Sequence, residues 1–316
     1  MADTSRILFV LTDLILPLIV GYFLHRKNVI SDRFANLLIR FNVICVYTTL
    51  TCLSFWVLPL NWDLAILFPF GMLYMLVPWA ICSLTTAKRY KNLLNRGAYV
   101  ISAMVSNIGT LGGVCTYIIY GERGFAYSQI LGTCQTILLV LICFSLAQYY
   151  HDKHFAPLRK EIEHISKWKK FFTWNQLSIV GMSLGVILNA SGVHRPDFLS
   201  ELFKYLVHFG AWTAMLPVGY LINFGHVKYY YHRVWDLSIL RFFIMPLFIW
   251  FTSRLFFDDP VILNTLFVCS MAPTAINSVL TARLYSLNVD LAVTSFIETT
   301  AIFLFIIFPA FFFLMR

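Results

Sequence analysis

The sequence predicts an all-α polytopic membrane protein of ten transmembrane helices, built as two inverted five-helix repeats with broken crossover helices 4 and 9. Three observations carry this: the apolar composition, the partition of positive charge between alternate connections, and an ordered set of matches between the two halves. Of 316 residues, 59% are hydrophobic, 17% aromatic and 12% charged, with a mean hydropathy of +0.74. Soluble domains are about 45–50% apolar and about 25% charged. A soluble fold of this size leaves roughly a quarter of the unfolded chain's surface exposed, so it cannot hide this much apolar area. A soluble enzyme, a secreted disulfide scaffold and a disordered chain are excluded. At about 20 residues per span, the chain has room for roughly ten helices.

Ten apolar segments run approximately over 7–24, 35–57, 63–85, 97–119, 125–149, 175–193, 199–223, 236–256, 261–282 and 291–315. The first follows Met1–Arg6 without a small-residue cleavage site, and reads as a first span rather than a removed signal peptide. The halves are 1–149 and 175–316, joined by a cytoplasmic linker over 150–174. In that linker His151-Asp152-Lys153-His154 and Glu161-Ile162-Glu163-His164 match no metal-ligand spacing. With Trp168, Phe171, Phe172 and Trp174 they suit a helix lying on the membrane surface. All seven cysteines lie in apolar stretches with no Cys-x-x-Cys pair, and read as small buried hydrophobes.

The net charge of +9 is a topology signal rather than a nucleic-acid signal. Arg26, Lys27, Arg33 and Arg40 flank the first connection; Lys88, Arg89, Lys91 and Arg96 fill the third. Lys153, Arg159, Lys160, Lys167, Lys169 and Lys170 occupy the fifth. Lys228, Arg233 and Arg241 flank the seventh, and Arg283 lies in the ninth. Arg6, Arg123, Arg195, Lys204, Arg254 and Arg316 fall on the other side, with Asp63, Glu122, Asp197, Asp258 and Asp259 in the outer connections. The excess marks the odd connections as cytoplasmic and both termini as extracytoplasmic. Trp62, Tyr120, Trp168 and Trp174 sit near span ends, where interfacial aromatics belong.

The halves match in order. Gly21-Tyr22-Phe23-Leu24 aligns with Gly185-Val186-Ile187-Leu188 at a shift of 164 residues, and Arg40-Phe41 with Lys204-Tyr205 at the same shift. Trp62-Asp63-Leu64 matches Trp235-Asp236-Leu237, and Val100–Tyr120 aligns without gaps to Thr265–Tyr285 at a shift of 165. An odd number of spans per half inverts the second relative to the first. Inverted repeats are an architecture of secondary transporters, with the site near the midplane between the halves.

The repeat directs attention to paired breaks. Span 4 reads Ser106-Asn107-Ile108-Gly109-Thr110-Leu111-Gly112-Gly113, and its glycines lower helix propensity at mid-membrane depth. Span 9 reads Ala272-Pro273-Thr274-Ala275-Ile276-Asn277-Ser278, where proline removes a donor and clashes with the preceding turn. Unwound backbone at that depth persists where protein or a water-filled cavity satisfies it. Two crossing breaks would aim half-helix N-termini at one point and attract an anion. The predicted substrate-binding residues are Asn107, Gly109, Thr110, Gly112, Pro273, Thr274, Asn277 and Ser278, with Asn42 of span 2 as a further candidate. The bland alternative is a glycine packing face, Gly109-x-x-x-Gly113, and a mere kink at Pro273. Glu298, about two turns into span 10, is a candidate for proton uptake and release. Asp13 in span 1 is a second candidate, with a structural ion pair to Lys204 the preferred reading, and His208 is a third. No cofactor and no metal is expected beyond a proton or sodium coupling ion.

Three stretches resemble the auxin efflux carrier family. Asn107-x-Gly109-x-Leu111-Gly112, followed by Tyr120-Gly121-Glu122-Arg123-Gly124, is similar to that family's fourth span and following turn. Pro273-x-Ala275-x-Asn277, then Ala282-Arg283-Leu284-Tyr285, is similar to its ninth, and Leu16-Pro17 through Gly21-Tyr22 to Asp32 to its start. The resemblance implies a ten-span inverted-repeat fold shared in outline with bile acid:sodium symporters. It implies a scaffold of spans 1, 2, 6 and 7, a transport domain of spans 3–5 and 8–10, elevator-type motion, and a homodimer through the scaffold. It also implies a small organic anion as substrate, a dicarboxylate or an auxin-like acid, contacted by Asn107 and Asn277. Where the family commonly has a proline after the first crossover's glycines, this chain has Gly113-Val114.

The leading expectation is therefore a permease for a small carboxylate in the lipid bilayer of the cell membrane, with no nucleic-acid partner. The alternatives are a sensor or receptor on a transporter fold, and a membrane-embedded enzyme. The last would need clustered catalytic side chains, and the in-span ionisable groups are scattered.

Overall fold

The computed structural model describes residues 10–58, 62–155, 177–221 and 224–310. The expectations for Met1–Arg6, and for the linker from residue 156 onward with Trp168 and Trp174, lie outside the described residues. Every regular element among those described is a helix. A π turn, Val10–Ile15, leads into α1 (Leu16–Arg26), followed by α2 (Asp32–Trp56) and α3 (Trp62–Leu84). Next come α4 (Leu93–Met104), α5 (Gly113–Leu138) and α6 (Phe144–Phe155). The second half holds α7 (Leu177–Ala190), α8 (Asp197–Leu221), α9 (Phe224–Ile239), α10 (Met245–Ser253), α11 (Pro260–Ser270), α12 (Ile276–Leu284) and α13 (Val289–Ile302).

Their starts follow ordinary capping chemistry. Asn92 accepts from the Leu94 amide at 2.8 Å, Asp259 from Val261 at 2.7 Å and Asn288 from Leu291 at 3.0 Å, each satisfying an orphan donor of a first turn. Among the described residues, five helical stretches are long and apolar enough to cross a bilayer: Asp32–Trp56, Trp62–Leu84, Ile108–Phe155, Tyr229–Ser253 and Val289–Ala310. By contrast α4 has 12 residues and α11 has 11. At 1.5 Å per residue each covers little more than half of a roughly 30 Å hydrocarbon core. The second ends just before the break predicted at Pro273, and the first ends several residues ahead of the predicted glycines.

The chain divides into two compact units. Unit 1 comprises Met1–Leu64, Gly109–Gln129 and Trp174–Ile222. In it α1 packs on α8 and α2 on α7. Both contacts bring backbone against backbone at a glycine. A Cβ on Gly21 would lie 2.0 Å from the Leu216 carbonyl oxygen, and one on Gly185 would lie 2.4 Å from that of Cys52. Close approach of this kind is how membrane helices gain packing where lipid is as apolar as the side chains. Polar side chains reinforce it. Asn42 donates to the Gly210 carbonyl at 2.7 Å and to the Thr213 hydroxyl at 2.6 Å. Asn189 donates to the Phe55 and Leu58 carbonyls at 3.0 and 2.6 Å.

The stretch Gly109–Gln129 is a helical hairpin. It reverses at Gly121, whose φ of +65° favours glycine. Gln129 returns beside the start, donating to the Gly109 carbonyl at 2.7 Å, while the Tyr47 hydroxyl donates to the Thr110 carbonyl at 3.2 Å. Arg195 pairs with Glu122 at 2.9 Å in the same unit, and also donates to the Leu53 carbonyl and the Ser200 hydroxyl.

Three expectations are corrected in unit 1. The glycine run Gly109–Gly113 is not the site of the first break. Ile108–Gly112 is a π turn that feeds directly into α5, because Gln129 and Tyr47 hold its loosened carbonyls. Gly113 is instead a packing position, where a Cβ would meet Gln129 Nε2 at 2.8 Å. Asp13 does not pair with Lys204. Its carboxylate is held by His208 Nδ1 and by Trp212 Nε1 at 3.1 Å, all one turn apart on α8, while Lys204 pairs with Glu201 at 2.9 Å. Cys45 is exposed and so departs from the buried reading, whereas Cys82, Cys115, Cys134, Cys143 and Cys269 are buried.

Unit 2 comprises Ala65–Ile108, Ile130–Thr173 and Asn223–Arg316. The short helix α4 lies in its middle, against α6, α12 and α13, and is buried along its last two turns from Gly97 to Met104. Helix α9 packs on α13. Tyr74 of α3 donates to the Leu266 carbonyl of α11 at 2.7 Å, and Tyr99 of α4 to Asp236 at 2.5 Å.

Candidate functional site

The breaks that end α4 and α11 meet in unit 2. The first occupies Val105–Asn107 and the second Ala272–Ala275. They pair as an isolated antiparallel bridge, Ser106 opposite Thr274. The Asn107 amide donates to the Pro273 carbonyl at 2.7 Å, and the Ala275 amide to the Val105 carbonyl at 3.0 Å. Two extended segments deep in a helical core thus satisfy each other. A buried, unpaired backbone group costs as much as a lost hydrogen bond, so the remaining groups must also be accounted for.

Side chains from the surrounding helices do this. Gln135 of α5 clamps Ser106: its Oε1 accepts from the Ser106 amide at 3.0 Å and hydroxyl at 2.8 Å, and its Nε2 donates to the Ser106 carbonyl at 2.5 Å. Thr299 of α13 accepts from the Thr274 amide at 3.0 Å. The Thr274 hydroxyl donates to the Ser102 carbonyl at 3.1 Å. Arg241, in the π turn Leu240–Ile244, donates through Nη2 to the Ala103 carbonyl at 2.6 Å and the Ser102 carbonyl at 3.3 Å. The end of α4 thus has a guanidinium as its cap, favourable at the negative end of a helix dipole.

The crossover brings together part of the predicted set. Asn107, Pro273 and Thr274 lie in the bridge itself, and all are buried. Asn277 and Ser278 open α12 immediately after it: Ser278 is buried and donates to the Ala275 carbonyl at 2.8 Å, while Asn277 is partly exposed. Gly109, Thr110 and Gly112 belong to unit 1, as does Asn42, whose amide is engaged by Gly210 and Thr213. Asp13 and His208 also lie in unit 1. Glu298 lies in unit 2, next in sequence to the Thr299 that holds the second break. It is 7% exposed; Oε1 accepts from Ser238 at 3.3 Å, and Oε2 is buried with no partner among the described residues.

Sequence reasoning missed Gln135, Thr299 and Arg241. Gln135 is a polar residue inside the apolar run 125–149, a detectable signal. Arg241 reads in the sequence as a topology charge flanking the seventh connection, yet it is 1% exposed and inside the Tyr229–Ser253 helix.

Within unit 2 this arrangement offers a half-helix N-terminus at Ile276, with amide and hydroxyl groups around it. Such a point can bind a small anion through backbone N–H groups and dipoles.

Comparison with known proteins identifies a family of transporters. The profile of the family described as "Membrane transport protein" matches residues 7–309. An uncharacterized transporter of Methanocaldococcus jannaschii is 25% identical over 218 residues, which cover 67% of this chain and 66% of that protein. With several apolar helices long enough to span a bilayer, and a profile match that runs across both crossovers, the chain belongs to the membrane transport protein family, that of the auxin efflux carriers.

Proposed function

We propose that the chain is a secondary transporter for a small organic anion, a dicarboxylate or an auxin-like acid, bound at the crossover and moved by elevator-type alternating access. The observation that carries this is the Ser106–Thr274 bridge: two helices interrupted at one place, with side chains from α5, α9–α10 and α13 maintaining the interruption. A kink formed by chance would not recruit Gln135, Thr299 and Arg241. In this reading Asn107, Thr274, Asn277 and Ser278 contact the substrate. Spans 1, 2, 6 and 7 supply the fixed scaffold and the homodimer surface, and spans 3–5 and 8–10 the moving part. Both termini face outward, and Glu298 is the leading residue for proton coupling, ahead of Asp13 and His208.

The reading includes ten spans in two inverted repeats. Support comes from the two glycine contacts of unit 1. Gly21 approaches Leu216, and Gly185 approaches Cys52. The shift of 164 residues that aligns Gly21 with Gly185 also carries Cys52 onto Leu216. The same contact is made twice with the roles of the halves exchanged, as a two-fold relation between repeats requires.

The test is flux in proteoliposomes, using malate, malonate and indole-3-acetate under imposed proton or sodium gradients. Uptake of at least one acid above that of empty vesicles is expected. Binding without flux would replace the carrier by a sensor.

A further inference from the structure

Arg241 is the one described buried cation of unit 2 whose charge the surrounding residues do not balance. Its side chain is fully enclosed, its Nη2 caps the Ser102 and Ala103 carbonyls, and its Nε is buried with no partner among the described residues. Among those residues no carboxylate lies within ion-pair distance of it. Asp236, one turn away on the same helix, is engaged by Arg89 and Tyr99, and Glu298 by Ser238. Cys82 is the titratable side chain that shares its surroundings. A buried charge without a counter-charge costs several kcal/mol, and ionisable groups in membrane spans usually serve function. The dipole at the end of α4 offsets only part of a full positive charge, being equivalent to about half an elementary charge.

We propose that Arg241 is the specificity-determining charge of the crossover: its guanidinium, acting through the end of α4, balances one negative charge of the bound substrate and travels with it. The inference rests on the carrier reading and deepens it by fixing the charge class of the cargo. Arg241 and the bridge belong to the same unit, so cation and anion would cross the field together. The loaded carrier then moves one negative charge fewer than the substrate bears, and the empty carrier returns with one positive charge. Arg241 touches the bridge-forming helix rather than the substrate, so it is a positioning residue whose signature is electrical.

The test is self-exchange of radiolabelled malonate, and in parallel malate, in proteoliposomes with the potential clamped by potassium and valinomycin. Self-exchange isolates the loaded step. Each variant is measured with and without Glu298→Gln, at the same pH on both sides, so that any charge on that carboxylate is read separately. Both acids are dianions, so with Arg241 present the loaded step should carry one charge, and with Arg241→Gln two. Each elementary charge shifts the loaded carrier's distribution by roughly 50-fold per 100 mV, so the slopes separate clearly. Arg241→Lys should keep the slope of one charge. A guanidinium that does not travel with the substrate predicts a loss of rate with the slope unchanged, and an unchanged slope in Arg241→Gln would overturn the proposal. Should that variant fail to fold, the absolute slope with Arg241 present decides: one charge supports the proposal and two refutes it. Absence of exchange of either acid by the unmodified chain counts against the carrier reading instead, and removes this inference with it.

Discussion

The two units use the same polar chemistry for opposite ends. In unit 1, Asn42, Asn189 and Arg195 tie one helix to another, and glycine contacts at Gly21 and Gly185 bring helix axes close. In unit 2, Gln135, Thr274, Thr299 and Arg241 hold open two interruptions that unbroken helices would not have. Polar atoms left over are found in both, but their surroundings differ. In unit 1, Arg195 Nε belongs to a guanidinium already paired with Glu122. In unit 2, Glu298 Oε2, Arg241 Nε and the Ser102 hydroxyl lie on residues at or beside the crossover. A membrane protein can place polar groups to close a structure or to keep part of it available.

The largest effect is expected where that contrast is steric. Gly21→Leu places a side chain against the Leu216 carbonyl, which cannot move without α8. The cost should reach the upper end of overpacking, about 3 kcal/mol or more, read as a lowered melting temperature and loss of the monodisperse peak in detergent. Gly185→Leu, its counterpart across the repeat, should behave alike. A clear difference between the two would weaken the inverted repeat.

Next is Gln135→Leu. It strands the Ser106 amide and carbonyl together, at about 1–3 kcal/mol for each unsatisfied group. Flux should be lost, with a lowered melting temperature. Retained flux would mean that the bridge is not the functional element.

Smaller is Asn42→Leu in unit 1. It removes the bonds to Gly210 and Thr213 and should cost about 1 kcal/mol. Apparent substrate affinity should be unchanged. A weakened affinity at unchanged stability would return Asn42 to the binding set.

Much of this architecture is legible in the sequence, for identifiable reasons. The second break is announced by Pro273, because a missing N–H cannot be hidden. The first break was placed some residues late, at the glycines. Propensity ranks Gly109 and Gly112 as weak helix formers, but tertiary partners decide, and Gln129 and Tyr47 hold that turn while Gln135 opens the chain at Ser106. Asp13 found His208 and Trp212 rather than Lys204 because depth along a helix does not specify facing; the two that bond it and Lys204 all lie on α8. Arg241 was hidden by the charge count itself. A positive-inside tally treats each cation as solvated, and a cation enclosed at a helix end looks identical in sequence.

The central claim is that substrate binds at the crossover of unit 2. The most direct measurement is the apparent affinity of Asn277→Ala for whichever acid the unmodified protein carries, in proteoliposomes at fixed gradient. Asn277 is partly exposed at the start of α12, outside the bridge hydrogen bonds, so the variant should fold with an unchanged melting temperature. The account predicts at least about tenfold weaker apparent affinity, the loss of one polar contact to an anion. Unchanged affinity in a folded, active variant would contradict it.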